Sequence, residues 1–379
     1  MTASSTKLAW MACAIACSPC APAAADSWFG DLERSTRLRE IHLDVAGPES
    51  ASFTALGVAP FITAQALASP DLAFSAAQVF DDFGNPRAAV GIDFAPTLLS
   101  RPEVTLGDYQ RTHLQRTVSR LQLSLAVSHG ESAQDSTTRV APTLRIVFHE
   151  QRDPRVHRGP GSLQDCFERN VPPPEKPAND SMEEQQRYRD ALKQAAKQGM
   201  KACRDDPEVA AYTWNATGFA VGISPSLRDD LDDIGALKPK GVLVYATQSF
   251  GFDGLGRLPG YVPTFLGSHA QVLTQVLFRY HEPLEDALKP GSFIDANELV
   301  GSVRLRAGSS RVSASVEAAV IHDWLPAQKN DALTRLSIGL DAHVARGTWL
   351  SLSVGRTLWR EALPDHTSGG LSIKFTPLN

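Results

Sequence analysis

The chain has 379 residues, of which 42% are hydrophobic and 21% are charged, and its formal net charge is -5 at pH 7. This near-neutral balance gives no support to nucleic-acid binding, which requires a basic surface. After the N-terminus, no segment has the roughly 18 consecutive apolar residues of a membrane-spanning helix. The composition fits both soluble exported proteins and membrane β-barrels, because half of each barrel strand faces a polar lumen.

Residues 1–25 are typical of a secretory signal peptide. Lys7 supplies a positive charge, LAWMACAIAC is a short apolar run, and Ala23-Ala24-Ala25 forms an A-x-A cleavage site before Asp26. In a second interpretation, Cys17 at the end of AIAC is the lipidated cysteine of a lipoprotein. In both cases we expect an exported chain.

Residues 26–84 alternate poorly and contain the stretches ERSTRLRE, AGPES and GVAPF. We interpret them as an irregular or partly helical N-terminal segment. Such a segment lies either in the periplasm or inside a barrel as a plug. One further strand is a candidate within it, because AFSAAQVF at 73–80 also alternates.

From residue 85 to 379 an apolar side chain returns at every second position, in about eleven segments. The clearest example is LTRLSIGLDAHVARGTWLSLSVGRTLW at 333–359, where two alternating runs flank Arg346-Gly347. This pattern predicts a β-hairpin with one apolar face. With the candidate strand at 73–80, it predicts an antiparallel up-and-down β-barrel of about twelve strands.

Residues 152–207 interrupt the strands with a Pro-rich stretch and then a charged, Ala-rich run. Ser181 and Glu184 have the spacing of a capping box, so we predict a helix over 182–203. Its polar surface is either a solvated face or a binding site for a partner protein.

The two cysteines that remain after cleavage at Ala25 bracket this insertion. Cys166 and Cys203 are a single pair in an exported chain, which predicts a disulfide joining the two ends of the insertion. Two free thiols are the alternative.

The apolar face of the strands contacts either lipid or a protein core. Lipid is favoured because the apolar positions carry almost no charge, with Arg356 near a strand end as the exception. Charged residues fall on the other parity: Asp93, Arg120, Arg145, Arg279, Arg304, Arg306, Glu317, Arg335, Asp341, His343 and Lys374. Aromatic residues near strand ends suggest membrane girdles: Tyr212, Trp214, Trp324, Trp349 and Trp359.

These features together resemble Gram-negative outer-membrane β-barrel proteins. The resemblance covers residues 88–377, with repeated amphipathic strands, tight turns and a C-terminal strand LSIKFT, and the predicted signal peptide at 1–25 accompanies it. It implies a transmembrane β-barrel in contact with outer-membrane lipid. It carries no function of a particular family, because no diagnostic motif is present.

A catalytic dyad is one hypothesis for chemistry. His366 and Ser368 are spaced i, i+2, which places both side chains on one face of a strand, as in lipid-modifying barrel enzymes that act on phospholipid or lipid A. Asn379 is the candidate third residue. The His and Glu residues of VFHEQRDPRVHRGP match no metal-ligand spacing, so we predict neither a metal nor a cofactor.

We interpret the chain as a non-enzymatic outer-membrane barrel that acts as a narrow channel or a structural envelope protein. Basic residues outnumber acidic ones on the inward parity, so an open lumen is expected to prefer anions. A lipid-modifying enzyme with His366 and Ser368 is one alternative. A soluble exported β-protein that binds a partner through residues 182–203 is the other.

Overall fold

A computed structural model gives the architecture. It describes residues 28–41, 43, 50–66, 72–80, 86–130, 137–179, 181–229, 237–253, 269–285, 293–324, 331–358 and 367–377. The predicted signal peptide, with Cys17, lies outside the described residues. So do Trp359, His366 and Asn379.

Twelve antiparallel strands form a closed barrel, in which each strand pairs with its sequence neighbours and the first pairs with the last. This is the up-and-down barrel that the alternating pattern predicted. The strands are β1 (Leu72–Phe80), β2 (Pro86–Phe94), β3 (Leu121–Gly130), β4 (Thr138–Glu150), β5 (Gly218–Asp229), β6 (Lys238–Asp253), β7 (His269–Glu285), β8 (Phe293–Gly308), β9 (Val312–Trp324), β10 (Asp331–Ala345), β11 (Thr348–Leu358) and β12 (Thr367–Phe375).

The first strand lies within the segment that the sequence assigned to an irregular N-terminus. The candidate at 73–80 is β1, and its Phe74 pairs with Phe375 of β12 on one side and with Ile92 of β2 on the other. The barrel therefore begins at Leu72, and the boundary expected at residue 85 is too late.

The distribution of exposed side chains is inverted relative to a soluble β-protein. On β10, Ile338 is 63% exposed, whereas its neighbour Ser337 is 4% exposed. The other strands repeat this, with exposed apolar residues that include Val90, Val276, Leu305, Val316 and Val354. In a closed barrel the exposed parity faces outward, and lipid covers such a continuous apolar surface favourably. The chain is therefore an outer-membrane-type β-barrel, with the apolar parity toward lipid.

Eight α-helices and one short 3-10 helix (Leu38–Glu40) occur in the described residues. They are α1 (Trp28–Ser35), α2 (Ala51–Leu56), α3 (Pro96–Ser100), α4 (Leu106–Arg111), α5 (His113–Ser119), α6 (Leu163–Asn170), α7 (Met182–Cys203) and α8 (Pro207–Trp214). Helix α7 has the predicted bounds, and the Ser181 hydroxyl accepts a hydrogen bond from the Glu184 amide. None of these helices is both long enough and apolar enough to span a membrane.

A helical cap, defined as residues 28–41, 95–120 and 151–217, has its own hydrophobic core at one end of the barrel. Helix α7 contributes Leu192 and Met200 to this core, and α1 contributes Phe29 and Leu32. The Phe167 ring lies so close to α7 that a Cβ at Gly199 would come within 2.2 Å of it. The insertion is thus not a free polar helix, because it packs against the N-terminal segment and the β2–β3 connection.

The predicted disulfide between Cys166 and Cys203 is present, and both residues are fully buried. It joins α6 to the last turn of α7 across 37 positions of sequence. Closing a loop of this length restricts the unfolded chain, which stabilises the folded cap by about 2–4 kcal/mol.

Removing the disulfide is expected to loosen the cap and leave the barrel intact. In a Cys166→Ser/Cys203→Ser variant, trypsin should cleave within 163–214 at concentrations that leave the native protein whole. The unboiled protein should keep its compact mobility on SDS gels, because the strands are unchanged. Loss of the compact band would contradict independent folding of the cap and the barrel.

The two ends of the barrel differ. The cap end is where β1 begins, where the cap packs, and where two tight turns join β8 to β9 and β10 to β11. In the second turn Gly347 has a φ of +66°, the left-handed conformation that glycine adopts readily. The far end is where β1 ends and β2 begins.

Most of the predicted girdle aromatics do not face lipid. Trp214 is fully buried, Trp349 is 9% exposed on the inward parity, and Tyr212 stacks on His157 at 4.8 Å within the cap. Only Trp324, 36% exposed at the far end, fits the prediction among the described residues. Proximity to a strand end did not distinguish an outward ring from one that fills the barrel mouth.

Candidate functional site

The barrel lumen is the candidate site, because it collects most of the buried polar side chains of the strands. Ten of the eleven predicted lumen charges lie on inward-facing strand positions. Seven of these ten are less than 9% exposed, namely Asp93, Arg145, Arg304, Arg306, Glu317, Asp341 and Lys374. Arg279, Arg335 and His343 are half-buried.

Several of these charges form ion pairs between strands on the inner surface of the barrel. Asp341 accepts hydrogen bonds from Arg304 at 2.8 Å and from Arg306 at 3.2 Å. Arg279 pairs with Glu298, and Lys374 lies 3.8 Å from a carboxylate oxygen of Asp93. The basic excess predicted for the lumen is therefore partly compensated by ion pairs.

The N-terminal segment fills the lumen. Residues 50–66, here called the plug, cross the barrel interior and bond to side chains of many strands. Both carboxylate oxygens of Glu317 accept hydrogen bonds from the plug, one from the Ile62 amide at 3.1 Å and one from the Thr63 amide at 2.7 Å. Gln275 accepts from the Ala64 amide and donates to the Ile62 carbonyl.

One aromatic side chain of the plug occupies a recess in the wall. The Arg304 guanidinium lies 3.3 Å from the centroid of the Phe61 ring. On another side, a Cβ at Gly339 would come within 2.0 Å of Phe61 Cζ, so only glycine leaves room for the ring. The space that Gly339 leaves on β10 therefore positions the Phe61 ring and, with it, the plug.

The first half of the plug is held by apolar contacts. Helix α2 buries Phe53 and Leu56, and Val58 follows it. They pack on an inward apolar layer that contains Ala77, Val79, Ala89, Ala126, Ala141, Leu243, Tyr245, Leu277, Val300 and Ala319. A water-filled lumen would leave this layer wet, at a cost of about 25 cal/mol for each Å² of apolar surface.

The cap fills the lumen mouth at its own end. Trp214 at the end of α8 packs against Trp349 of β11, and the Arg306 guanidinium lies 4.9 Å from the centroid of a Trp214 ring. Asn215 then bonds to both the amide and the carbonyl of Phe252 on β6. The cap is thus fixed to the wall at the mouth.

The prediction that Arg120 faces the lumen is wrong. Arg120 follows α5 and lies in the cap, where its guanidinium donates to Asp153 at 2.8 Å and to the Tyr109 hydroxyl at 2.8 Å. Arg155 donates to the other Asp153 oxygen at 2.9 Å. The alternation that begins at Leu121 suggested an inward Arg120, but the strand starts only after it.

The pKa values of this buried cluster follow from its charges. Burial alone would raise the pKa of Asp153, but the guanidinium groups of Arg155 and Arg120 hold it well below its usual value of 3.8. Burial raises the pKa of Tyr109 above its usual value of 10.0. Asp153 is therefore charged and Tyr109 neutral at physiological pH, as in a structural ion-pair network.

Of the proposed catalytic dyad, only Ser368 is described. It lies on the inward parity of β12, 2% exposed, and its Cα partner is Gly355 of β11. Its side chain points into the barrel rather than toward lipid. No group of three His, Cys, Asp or Glu side chains able to hold a metal ion occurs in the described ranges.

Among the described residues, sequence reasoning missed further inward charges, which include Arg87, Arg139, Arg228 and Glu298. Arg139 and Arg228 are Cα partners on β4 and β5. Arg87 shares the parity of Asp93, and Arg139 shares that of Arg145. Extending each predicted strand to its full length toward the far end would have found them.

Comparisons with known proteins add a fold-level likeness. No family model and no curated protein matches the sequence. The NanC porin structure has a TM-score of 0.38 at 6% identity over 81% of this chain and 100% of that chain. The KdgM porin has a TM-score of 0.36 at 6% identity over 81% and 99%.

A third solved structure, LpxR from Salmonella typhimurium, has a TM-score of 0.35 at 9% identity, with 80% and 99% of the two chains covered. All three TM-scores are low. The assignment of the chain as an outer-membrane-type barrel therefore rests on its own geometry. The twelve strands form a closed barrel, the outward surface is an apolar band, and residues 50–66 fill the lumen.

Proposed function

We propose that the protein is a closed, non-conducting outer-membrane barrel that holds its helical cap at one membrane face as a structural envelope protein. The observation that supports this is the packing of α2 against the apolar layer of the lumen. An aqueous pathway needs polar walls, whereas this layer is made of alanine, leucine, valine and one tyrosine. Its burial favours a plug that stays in place.

The cap is proposed to face the periplasm. Outer-membrane barrels have their short turns on the periplasmic side. The three-residue turn between β8 and β9 and the two-residue turn between β10 and β11 both lie at the cap end. The exposed surface of α7 is the candidate for the predicted protein partner. Its charges pair along the helix, as in Arg187 with Glu183 at 2.7 Å, which is also what a solvated face requires.

Conductance in planar bilayers tests this proposal. The native protein is expected to give no stepwise current. A variant in which residues 50–66 are replaced by a Gly/Ser linker of equal length is expected to conduct and to prefer anions. Both proteins must show the compact unboiled band on SDS gels. Steady conductance of the native barrel would overturn the proposal.

A gated channel is the second candidate, favoured by the other half of the plug. Residues 62–66 are held by hydrogen bonds to wall side chains such as Ser249, Gln275 and Glu317, which water can replace. Voltage-dependent bursts of current from the native protein would favour this candidate over a permanently closed barrel.

The lipid-modifying enzyme is the remaining candidate, supported by its H-x-S sequence alone. Activity of the purified barrel on phospholipid or lipid A that disappears in Ser368→Ala would establish it. An inactive native protein, folded by the gel criterion, would remove it.

A further inference from the structure

Helix α5 carries two exposed apolar side chains on one face. Leu114 is 75% exposed and Val118 is 36% exposed, although every other residue of this helix is polar. The two are four positions apart, so they lie one turn apart on the same side of the helix. A single exposed leucine requires no explanation, but the surroundings of this pair indicate what covers it.

The helix is fixed in the cap at both of its ends. At its start, the Thr112 side chain accepts a hydrogen bond from a backbone amide of the first turn. At its end, the Val118 carbonyl accepts a hydrogen bond from the Thr97 hydroxyl, and the following Arg120 donates to Asp153. Specific contacts therefore hold the apolar face of α5 in one position.

This face adjoins the lipid-facing surface of the barrel. Only Arg120 separates α5 from β3, and the helix packs beside β4. The outward band of β4 and β5 ends there in Phe148 and Phe219, which are both exposed and whose ring centroids lie 6.1 Å apart. Arg116 of α5 is close enough to His149, the Cα partner of Phe219, to interact with it electrostatically. The helix therefore lies at the rim where the lipid-facing band ends.

The charge around the apolar face is basic. Residues 109–120 contain three arginines, one histidine and no acidic residue. Arg120 is paired within the cap, so Arg111 and Arg116 are the arginines that flank the apolar pair. Asp108, the acidic residue closest to them along the chain, is engaged in the capping box of α4. Cationic side chains beside an apolar helix face are typical of a helix that lies on an anionic membrane surface.

We propose that α5 is an interfacial anchor of the cap, which inserts Leu114 and Val118 into the adjoining lipid leaflet. In this arrangement Arg111 and Arg116 bind the phosphates of anionic phospholipids. Lipid is the occupant because the face continues a surface that lipid already covers, and because its flanking charges complement an anionic headgroup. The inference rests on the position of the barrel in the membrane, and it does not depend on whether the lumen conducts.

Fluorescence quenching tests the anchor on the full-length protein in lipid nanodiscs whose acyl chains are brominated. A Leu114→Cys variant carries an environment-sensitive label. Met182→Cys is the matched control, because Met182 is similarly exposed at 79% but lies on α7, which carries charges of both signs. We expect bromine to quench the label at Leu114 and not at Met182, and aqueous iodide to do the reverse. Iodide quenching at both positions without a bromine effect would overturn the proposal.

Lipid composition tests the role of the two arginines. Bromine quenching at Leu114 should be stronger in discs that contain phosphatidylglycerol than in discs of phosphatidylcholine alone, and it should weaken at high salt. In the anionic discs, Arg111→Gln/Arg116→Gln should lower the ratio of inserted to free α5 about fivefold for each arginine.

Arg187→Gln on α7 is the charge control and should leave the quenching at Leu114 unchanged. Every variant must show the compact unboiled band on SDS gels. Equal quenching in the two kinds of disc and in the double-arginine variant would overturn the proposed phospholipid contacts. An aqueous label at Leu114 together with a lipid-quenched label at an outward strand position would refute the anchor alone and leave the barrel in the membrane.

Discussion

Gly339→Val is expected to displace the plug from the barrel. A Cβ at this position would lie 2.0 Å from Phe61 Cζ and 2.6 Å from the Leu352 carbonyl oxygen. The strand backbone is held by neighbours on both sides, so the Phe61 ring has to move. Overpacking of this kind typically costs about 1–3 kcal/mol. Loss of the Arg304–Phe61 contact adds to this.

The consequence is measured as plug exposure and as current. Limited proteolysis should cleave within residues 50–66 of the variant, and bilayers should show intermittent conductance where the native barrel shows none. Gly301→Val is the control for the substitution itself, because Gly301 lies on the outward parity of β8, away from the plug, with nothing within 4 Å of the added Cβ. A control that conducts as Gly339→Val does would argue against a specific recess for Phe61.

Asp153→Asn is expected to destabilise the cap by about 3–5 kcal/mol, the usual result of removing one partner from a buried charge pair. Asp153 is fully buried and accepts from Arg120, Arg155 and Tyr109. Without the carboxylate, two buried guanidinium groups lose their main counter-charge. Hydrogen exchange should accelerate in α4, α5 and the start of the insertion, with the strands unaffected.

Asp205→Asn provides the comparison, since the Asp205–Arg346 ion pair is about half exposed on both sides. Exposed pairs of this kind contribute only about 0–1 kcal/mol. If both variants destabilise the cap equally, the buried cluster has no special role.

The acid dependence of the cap follows from the pKa of Asp153. Arg155 and Arg120 overcome the effect of burial and lower the pKa in the folded state below its usual 3.8. The stabilisation is therefore present above the unfolded value and is lost as pH falls through the lower folded value. The native cap should resist mild acid. Its free energy of unfolding should approach that of the Asp153→Asn variant only below about pH 4.

The sequence predicts well those features that depend on local periodicity. Twelve strands, the turn at Arg346-Gly347 and helix α7 all follow from patterns of two or 3.6 residues and from a capping box. The Cys166–Cys203 disulfide follows from counting cysteines. Each of these is decided by neighbours in sequence or by composition.

The features that the sequence leaves open depend on contacts between distant segments. The plug has no periodicity, and its path is set by Glu317, Gln275 and a recess at Gly339, more than 200 positions away. The cap unites three separate stretches in one core. For the same reason Trp214 and Trp349 could be placed near strand ends but not recognised as mouth-filling residues.

Fluorescence at Ile338 tests most directly whether the apolar parity faces lipid. An Ile338→Cys variant would carry an environment-sensitive label in bilayers whose acyl chains are brominated, with Met182→Cys on α7 as the control. We expect bromine, and not aqueous iodide, to quench the label at Ile338, and we expect the reverse at Met182, which is 79% exposed. Iodide quenching at Ile338 without a bromine effect would mean that this face is not in the membrane.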